Sequence, residues 1–307
     1  MTKVLIATEK PFAPQAVAGI KQIIEEAGFE TAILENYTDP KDFVNAVKDV
    51  DAVIVRSDLV TRDVVEAAQN LKIVVRAGAG YDNLDLAACS EKGIVAMNTP
   101  GQNSNAVAEL AFGLMLYHIR KNFSGKSGTE LREKTLGIHA YGNVGRYVGQ
   151  IAKGFGMDVY AFDPFIPQTA IESDGIKWLA TAEELYKKCQ YVSLHIPANA
   201  QTKKSINYDL INLMPKGATL VNTARKEVID EESLLKILAD RKDFSYLSDI
   251  EPDCKEKVLA EFPAKVFFTA KKSGAQTDEA NVNAGLAAAR QIVGFILKGD
   301  KTFQLNK

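Results

Sequence analysis

Short apolar runs of three to five residues, rich in valine and isoleucine, alternate along the chain with longer stretches whose apolar positions recur at helical spacing. In the first third the runs fall at residues 4–7, 31–34, 52–55, 73–75 and 94–97, with amphipathic stretches such as 16–27 and 61–68 between them. A second series follows at 137–140, 159–162, 192–196, 220–223, 246–250 and 266–268. Strands that are apolar throughout need cover on both faces, and crossover helices joining parallel strands provide it. The pattern predicts an α/β protein with parallel sheets.

The two series are separated by a long apolar helix, from residue 103 to about 120, and a connection rich in glycine and polar residues from Lys121 to Gly128. The domain change is placed near residue 100. A final helix, 277 to about 297, follows the last strand and carries Asp278 and Glu279 in its first turn, where acids favour helix initiation. If that helix returns to the first domain, the division is 1–99 plus 275–307 against 100–274.

One junction in the second series carries chemistry. The buried strand ending near Ala140 runs into Tyr141, Gly142, Asn143, Val144 and Gly145 and then into a helix, an arrangement in which glycines allow a tight turn and helix N-terminal amides receive a pyrophosphate. Eighteen residues beyond Gly145, Asp163 closes the next apolar strand, placed to accept hydrogen bonds from an adenosine ribose and to repel a 2′-phosphate. The expected cofactor is NAD rather than NADP. Strand, turn, helix and acid together make the site, since the glycine pattern alone recurs in many α/β proteins and its first glycine is alanine here.

Composition narrows the partners. The 307 residues suffice for two domains, and 37 basic against 39 acidic side chains give no electrostatic reason to expect nucleic acid or a membrane surface. Cys89, Cys189 and Cys254 lie far apart in no metal-ligand or redox spacing, which fits a reducing compartment. The strand at 4–7 starts too early for a signal peptide's apolar region, and no run reaches transmembrane length, so the expectation is a cytoplasmic protein with a small-molecule partner.

Further motifs, in order and spacing, carry a family resemblance along nearly the whole chain. They are Val55-Arg56-Ser57, Arg76 to Asp85, Asn98-Thr99-Pro100 leading to Asn103, Gly128 to Gly145, Leu194-His195-Ile196-Pro197 with Thr202, Val221 to Arg225, and Gly274 to Ala280. The chain resembles the D-2-hydroxyacid dehydrogenases, in a short form without an appended regulatory domain. That resemblance implies two Rossmann-like, doubly wound domains with the active site in a cleft between them, and a homodimer joined through the cofactor domains. The apolar helix from 103 to 120 points the same way, because one domain face would leave part of it uncovered.

Roles follow residue by residue from the resemblance. Arg225 corresponds to the arginine that grips the substrate carboxylate, with the alternative of a surface arginine at a strand-to-helix turn. Ala79 and Gly80 correspond to a loop whose amides receive the same carboxylate, and Asn103 to a cleft-lining residue. Glu251 corresponds to the acid that orients the proton donor, and Asp249 to a contact on the nicotinamide amide, with Thr223 and Ala224 also on the cofactor. His195 and Pro197 match the cofactor wall rather than a catalytic base, while His118 and His139 read as core or helix-end histidines.

The departures concern the proton donor and the substrate. Where the family has histidine, counting back from Gly274 places Lys272, and counting forward from Thr269 places Lys271; Lys272 is preferred because the glycine fixes the turn into the helix. The segment between Asp249 and Glu251 is shorter than usual, so Glu251 either reaches the site or is a solvated acid. The connection before Gly128 is also shorter, and Lys226 replaces a glycine. Arg56 and Ser57 resemble a phosphate-side contact, with Arg76 or a partner lysine as helpers, which implies oxidation of 3-phosphoglycerate to 3-phosphohydroxypyruvate. If Arg56 is structural, the substrate is glyoxylate, hydroxypyruvate or another 2-keto acid. A nonenzymatic NAD-binding recruiter of the same fold is the alternative from a different class.

Overall fold

The computed structural model describes residues 1–306. It divides into two compact units, Met1–Asn103 together with the residues from Gln276 onward, and Ser104–Ala275.

The first unit is built on five parallel strands, β1 (Lys3–Thr8), β2 (Glu30–Glu35), β3 (Ala52–Val55), β4 (Ile73–Arg76) and β5 (Val95–Asn98), in the order β2-β1-β3-β4-β5. Side chains alternate across each strand, so Val4 and Ile6 enter one core layer while Leu5 and Ala7 enter the other. The first layer is closed by the helices Pro14–Glu26 and Asp278–Lys298. Small residues let these two helices approach closely: a Cβ on Gly19 would lie 2.6 Å from Leu286, and one on Gly285 would lie 2.8 Å from Ile20. The final helix starts where Thr277 accepts a hydrogen bond from the Ala280 amide, and it packs in the first unit.

The second unit continues with β6 (Thr135–His139), β7 (Asp158–Phe162), β8 (Lys177–Trp178), β9 (Tyr191–Leu194), β10 (Thr219–Asn222), β11 (Ser245–Ser248) and β12 (Val266–Phe268). Their order is β12-β11-β10-β9-β6-β7-β8, and every pairing is parallel. The edge strand β8 has two half-exposed or exposed residues and shows no apolar period, which is why the hydrophobic pattern did not reveal it. One face is covered by the helices Ser104–Ile119 and Asn143–Gly154, the other by Ala182–Lys188, Tyr208–Asn212 and Glu231–Asp240.

Two expectations change. The helix Ser104–Ile119 buries Ala108, Ala111, Phe112, Leu114, Met115 and Ile119 inside its own unit, and Leu110 and Leu116 pack against the same core. Its exposed positions are Asn105, Glu109 and Gly113, so the uncovered apolar surface that suggested a dimer is small. The strand expected to include Ala140 stops at His139, because Ala140 turns to φ +80°. Among the described residues no helix is long and apolar enough to cross a membrane.

Candidate active site

Because all seven strands of the second unit are parallel, the segments that follow them emerge at one edge of the sheet. Ala140 to Gly145 follow β6, Asp163 follows β7, His195 follows β9, Thr223 to Arg225 follow β10, Asp249 to Glu251 follow β11, and Thr269 to Gly274 follow β12. Ligands meet doubly wound sheets at this carboxyl edge.

The turn after β6 has the form a dinucleotide requires. Ala140 donates its amide to Phe162 O at 2.9 Å and holds a positive φ that costs a non-glycine residue about 1 kcal/mol or more. Gly142 caps the helix Asn143–Gly154, and a Cβ there would meet nothing within 4 Å, so the backbone stays open to approach. A Cβ on Gly145 would instead lie 2.4 Å from Ala140 O, which makes glycine obligatory for this helix–strand contact. The amides of Asn143, Val144 and Gly145 open the helix without an intrahelical acceptor and fit a pyrophosphate.

Asp163 is buried and takes the Tyr141 amide on Oδ2 (2.8 Å) and the Phe165 and Ile166 amides on Oδ1 (2.8 and 3.2 Å). Its carboxylate therefore shapes the turn, a duty the strand-end position did not disclose. A 2′-phosphate set against it meets a fixed negative charge. Efficiency with NAD is expected to exceed that with NADP by at least about tenfold, or about 1.4 kcal/mol, and Asp163→Ala to narrow the gap. Equal steady-state use of both cofactors by the unaltered protein contradicts this.

The residues expected on the cofactor wall also fit. Nε2 of His195 and Oγ1 of Thr223 are buried without a hydrogen-bond partner among the described residues, as polar atoms facing a bound cofactor would be. Ala224, next to Thr223, is buried, and Thr202 donates to Pro197 O and accepts the Asn199 amide, so it braces the exposed Pro197 segment.

None of the three histidines is poised as a base. Burial drives His139 down to about 4 and His195, also opposed by His139, to about 3; burial and then Lys121 lower His118. An unfolded histidine titrates near ~6.5, so below that pH the unfolded chain binds protons that the native His139 refuses. The stability it contributes is present above ~6.5 and lost as pH falls toward 4, by up to about 3 kcal/mol. Melting temperature is expected to drop across that window, and His139→Asn, which cannot charge, to flatten the acid limb; an unchanged slope in the variant contradicts this.

At the end of β10 the backbone around Arg225 is clamped by a residue that lies in the motif but to which the sequence assigned no role. Asn222, fully buried, accepts the Ala224 amide (2.9 Å) and donates to Arg225 O (2.9 Å) and Tyr246 Oη (3.2 Å). The guanidinium donates to Ala224 O, and among the described residues no carboxylate pairs with it. The extra charge of Lys226 is matched by Asp253. Glu251 accepts from Lys255, a pairing the sequence reading did not anticipate.

Asp249 is 1% exposed. Its Oδ1 accepts from Thr269 Oγ1 (2.9 Å) and the Ser273 amide (2.7 Å), and its Oδ2 accepts from the Gly274 amide (2.8 Å). Lys271 and Lys272 stand exposed on the turn thus held, with Lys271 O accepting from Ser273 Oγ (2.7 Å).

The first unit offers a parallel set at the ends of β3 and β4. Arg56 donates to Lys10 O, Pro11 O and Asn281 Oδ1 (3.1, 3.0 and 2.7 Å) and lies 5.2 Å from the Phe12 ring centre, so three of its donors hold the fold. Ser57 is exposed. The loop carrying Ala79 and Gly80 is pinned by Asn98 Nδ2 on Ala79 O (2.6 Å) and by Thr99, which accepts the Gly78 amide (2.7 Å). Asn103 is half-buried in the turn before the helix Ser104–Ile119.

Doubly wound parallel sheets and a glycine turn at a carboxyl edge define a dinucleotide-binding α/β protein. Residues 111–270 match the NAD binding domain of the D-isomer specific 2-hydroxyacid dehydrogenases, and the chain belongs to that family. It is 35% identical to the D-3-phosphoglycerate dehydrogenase of Methanocaldococcus jannaschii over 98% of this chain and 58% of that one. It is equally, 35%, identical to the hydroxypyruvate reductase of Thermotoga maritima over 86% of this chain and 90% of that one. The chain thus spans little more than half the length of the first of these relatives. The crystal structure of NAD+-bound 3-phosphoglycerate dehydrogenase from Entamoeba histolytica superposes with a TM-score of 0.87 at 46% identity, covering 100% of this chain and 99% of that one.

Proposed function

We propose that the chain oxidises 3-phosphoglycerate to 3-phosphohydroxypyruvate, reversibly and as a homodimer, with the first unit as the substrate-binding domain. The observation that carries the reading is the shared edge of the second unit, where the dinucleotide turn, the clamped Arg225 and the lysine turn all follow parallel strands. Bound NAD supplies the acceptor for the hydride that leaves C2 of the substrate. Arg225 holds the carboxylate with its planar pair of donors. Lys272, in its neutral form, accepts the hydroxyl proton as the C2–O bond gains its second pair, and returns it in the reverse direction. Glu251 orients that lysine.

A second reading, reduction of hydroxypyruvate or glyoxylate, gains weight from Arg56, whose donors to Lys10, Pro11 and Asn281 leave fewer for a phosphate. Steady-state turnover of 3-phosphoglycerate with NAD, beside hydroxypyruvate and glyoxylate with NADH, separates the two. On the leading reading 3-phosphoglycerate is turned over, and Arg56→Gln raises its KM about tenfold or more while leaving the KM for hydroxypyruvate within about threefold. Equal loss on both substrates makes Arg56 a structural residue, and turnover of the keto acids alone selects the second reading. Binding of NAD with no turnover of any of them leaves a partner-recruiting protein.

A further inference from the structure

We infer that Glu231 is a positioning residue for Glu251, fixing from a neighbouring helix the short segment that carries this acid. The inference rests on the reading in which Glu251 orients a lysine proton donor. Only Ile250 separates Glu251 from Asp249, and the residues from Asp249 to Cys254 form neither helix nor strand. Their far end is held by an acid from elsewhere in the chain. Glu231, the first residue of the helix Glu231–Asp240, accepts the Asp253 amide on Oε1 (2.7 Å) and the Cys254 amide on Oε2 (2.8 Å).

An acid in the first turn of a helix ordinarily serves the free amides of that helix. Glu231 instead turns both oxygens to amides at the start of the helix Lys255–Glu261, whose N-cap residue, Cys254, makes no side-chain cap bond of its own. That helix begins with Lys255, the partner of Glu251, so capping it fixes the acid's partner as well as its backbone. Pro252, buried between the anchor and Glu251, has a fixed φ and leaves few backbone angles through which Glu251 could move. Lys226 and Asp253 pair across the same two segments, but their side chains are 36% and 76% exposed, and exposed ion pairs contribute little. The Glu231 carboxylate therefore carries the clamp, with charge-assisted bonds to two successive amides. An orienting contact tolerates little displacement, since a misplacement of ~1 Å can cost ~100-fold.

Glu231→Ala tests this, with Glu251→Gln as its reference. We expect Glu231→Ala to lower kcat about tenfold, to leave the NAD dissociation constant within about threefold, and to accelerate hydrogen exchange at the Asp253 and Cys254 amides. Glu231→Gln, which keeps one acceptor, should lose less, about threefold. Because the effect passes through Glu251, adding Glu231→Ala to Glu251→Gln should lower kcat by no more than about a further twofold. Lys226→Ala should stay within about threefold of the parent, and a larger loss there than in Glu231→Ala overturns the assignment to Glu231. A merely structural clamp would lower the melting temperature while leaving kcat of the folded protein near normal, or would lower kcat by the same factor with and without the Glu251 carboxylate; either result overturns the inference, as does unchanged amide exchange. Normal turnover of Glu251→Gln removes that acid from the mechanism and the inference with it, whereas a slow Glu251→Gln beside a normal Glu231→Ala overturns the inference alone. Because kcat is read on whichever 2-hydroxy or 2-keto acid is turned over, failure on 3-phosphoglycerate counts against the substrate reading alone, and turnover of none by the unaltered protein removes both.

Discussion

Lys272→Ala is expected to lose about a hundredfold or more in turnover while the affinity for NAD changes little, and Lys271→Ala to stay within about tenfold of the parent. The two lysines are adjacent on one exposed turn, so global folding cannot separate them; only the direction each takes from the fixed Ser273 and Gly274 amides can. The three histidines give no rival base, since burial depresses all of them and none follows β12. Oxidation, which needs the neutral amine, should keep accelerating into alkaline pH beyond where a histidine-dependent rate levels off. Near-normal turnover of Lys272→Ala removes it from the mechanism, and the reverse ranking of the two variants moves the role to Lys271.

On the carboxylate-gripping role proposed for it, Arg225→Ala is expected to lower kcat/KM by about a thousandfold, about 4 kcal/mol, by deleting two charge-assisted bonds and the cation that would polarise the adjacent carbonyl. Arg225→Lys should recover only part of this, since a point charge cannot make the paired contact. Asn222 holds the backbone on both sides of Ala224, so Asn222→Ala should produce a milder loss through the same loop. An Arg225→Ala variant within tenfold of the parent would falsify the carboxylate role and leave this arginine as a surface residue at the turn.

The alternation of apolar runs was enough to expose eleven of the twelve strands among the described residues and the parallel architecture, because the central strands, covered on both faces, have to be apolar throughout. It missed β8, whose two residues are too few to show a period. The turn from Ala140 to Gly145 was legible for a steric reason: the Gly145 contact with Ala140 O admits no side chain, so the spacing is written into the residues themselves. What each polar side chain does with its hydrogen bonds was not legible.

Asp163, Asp249 and Arg56 show the difference. The sequence placed each at a strand end and assigned it outward, to a ribose, a nicotinamide or a phosphate. Tertiary structure brought the Tyr141, Phe165 and Ile166 amides to Asp163, the 269–274 turn to Asp249, and the Lys10 and Pro11 carbonyls with Asn281 to Arg56. Local periodicity and steric necessity act over a few residues, so the chain by itself determined its strands, its glycine turn and the residue types available for chemistry. Which donors meet which acceptors depends on segments up to 225 residues apart, and only folding decides that.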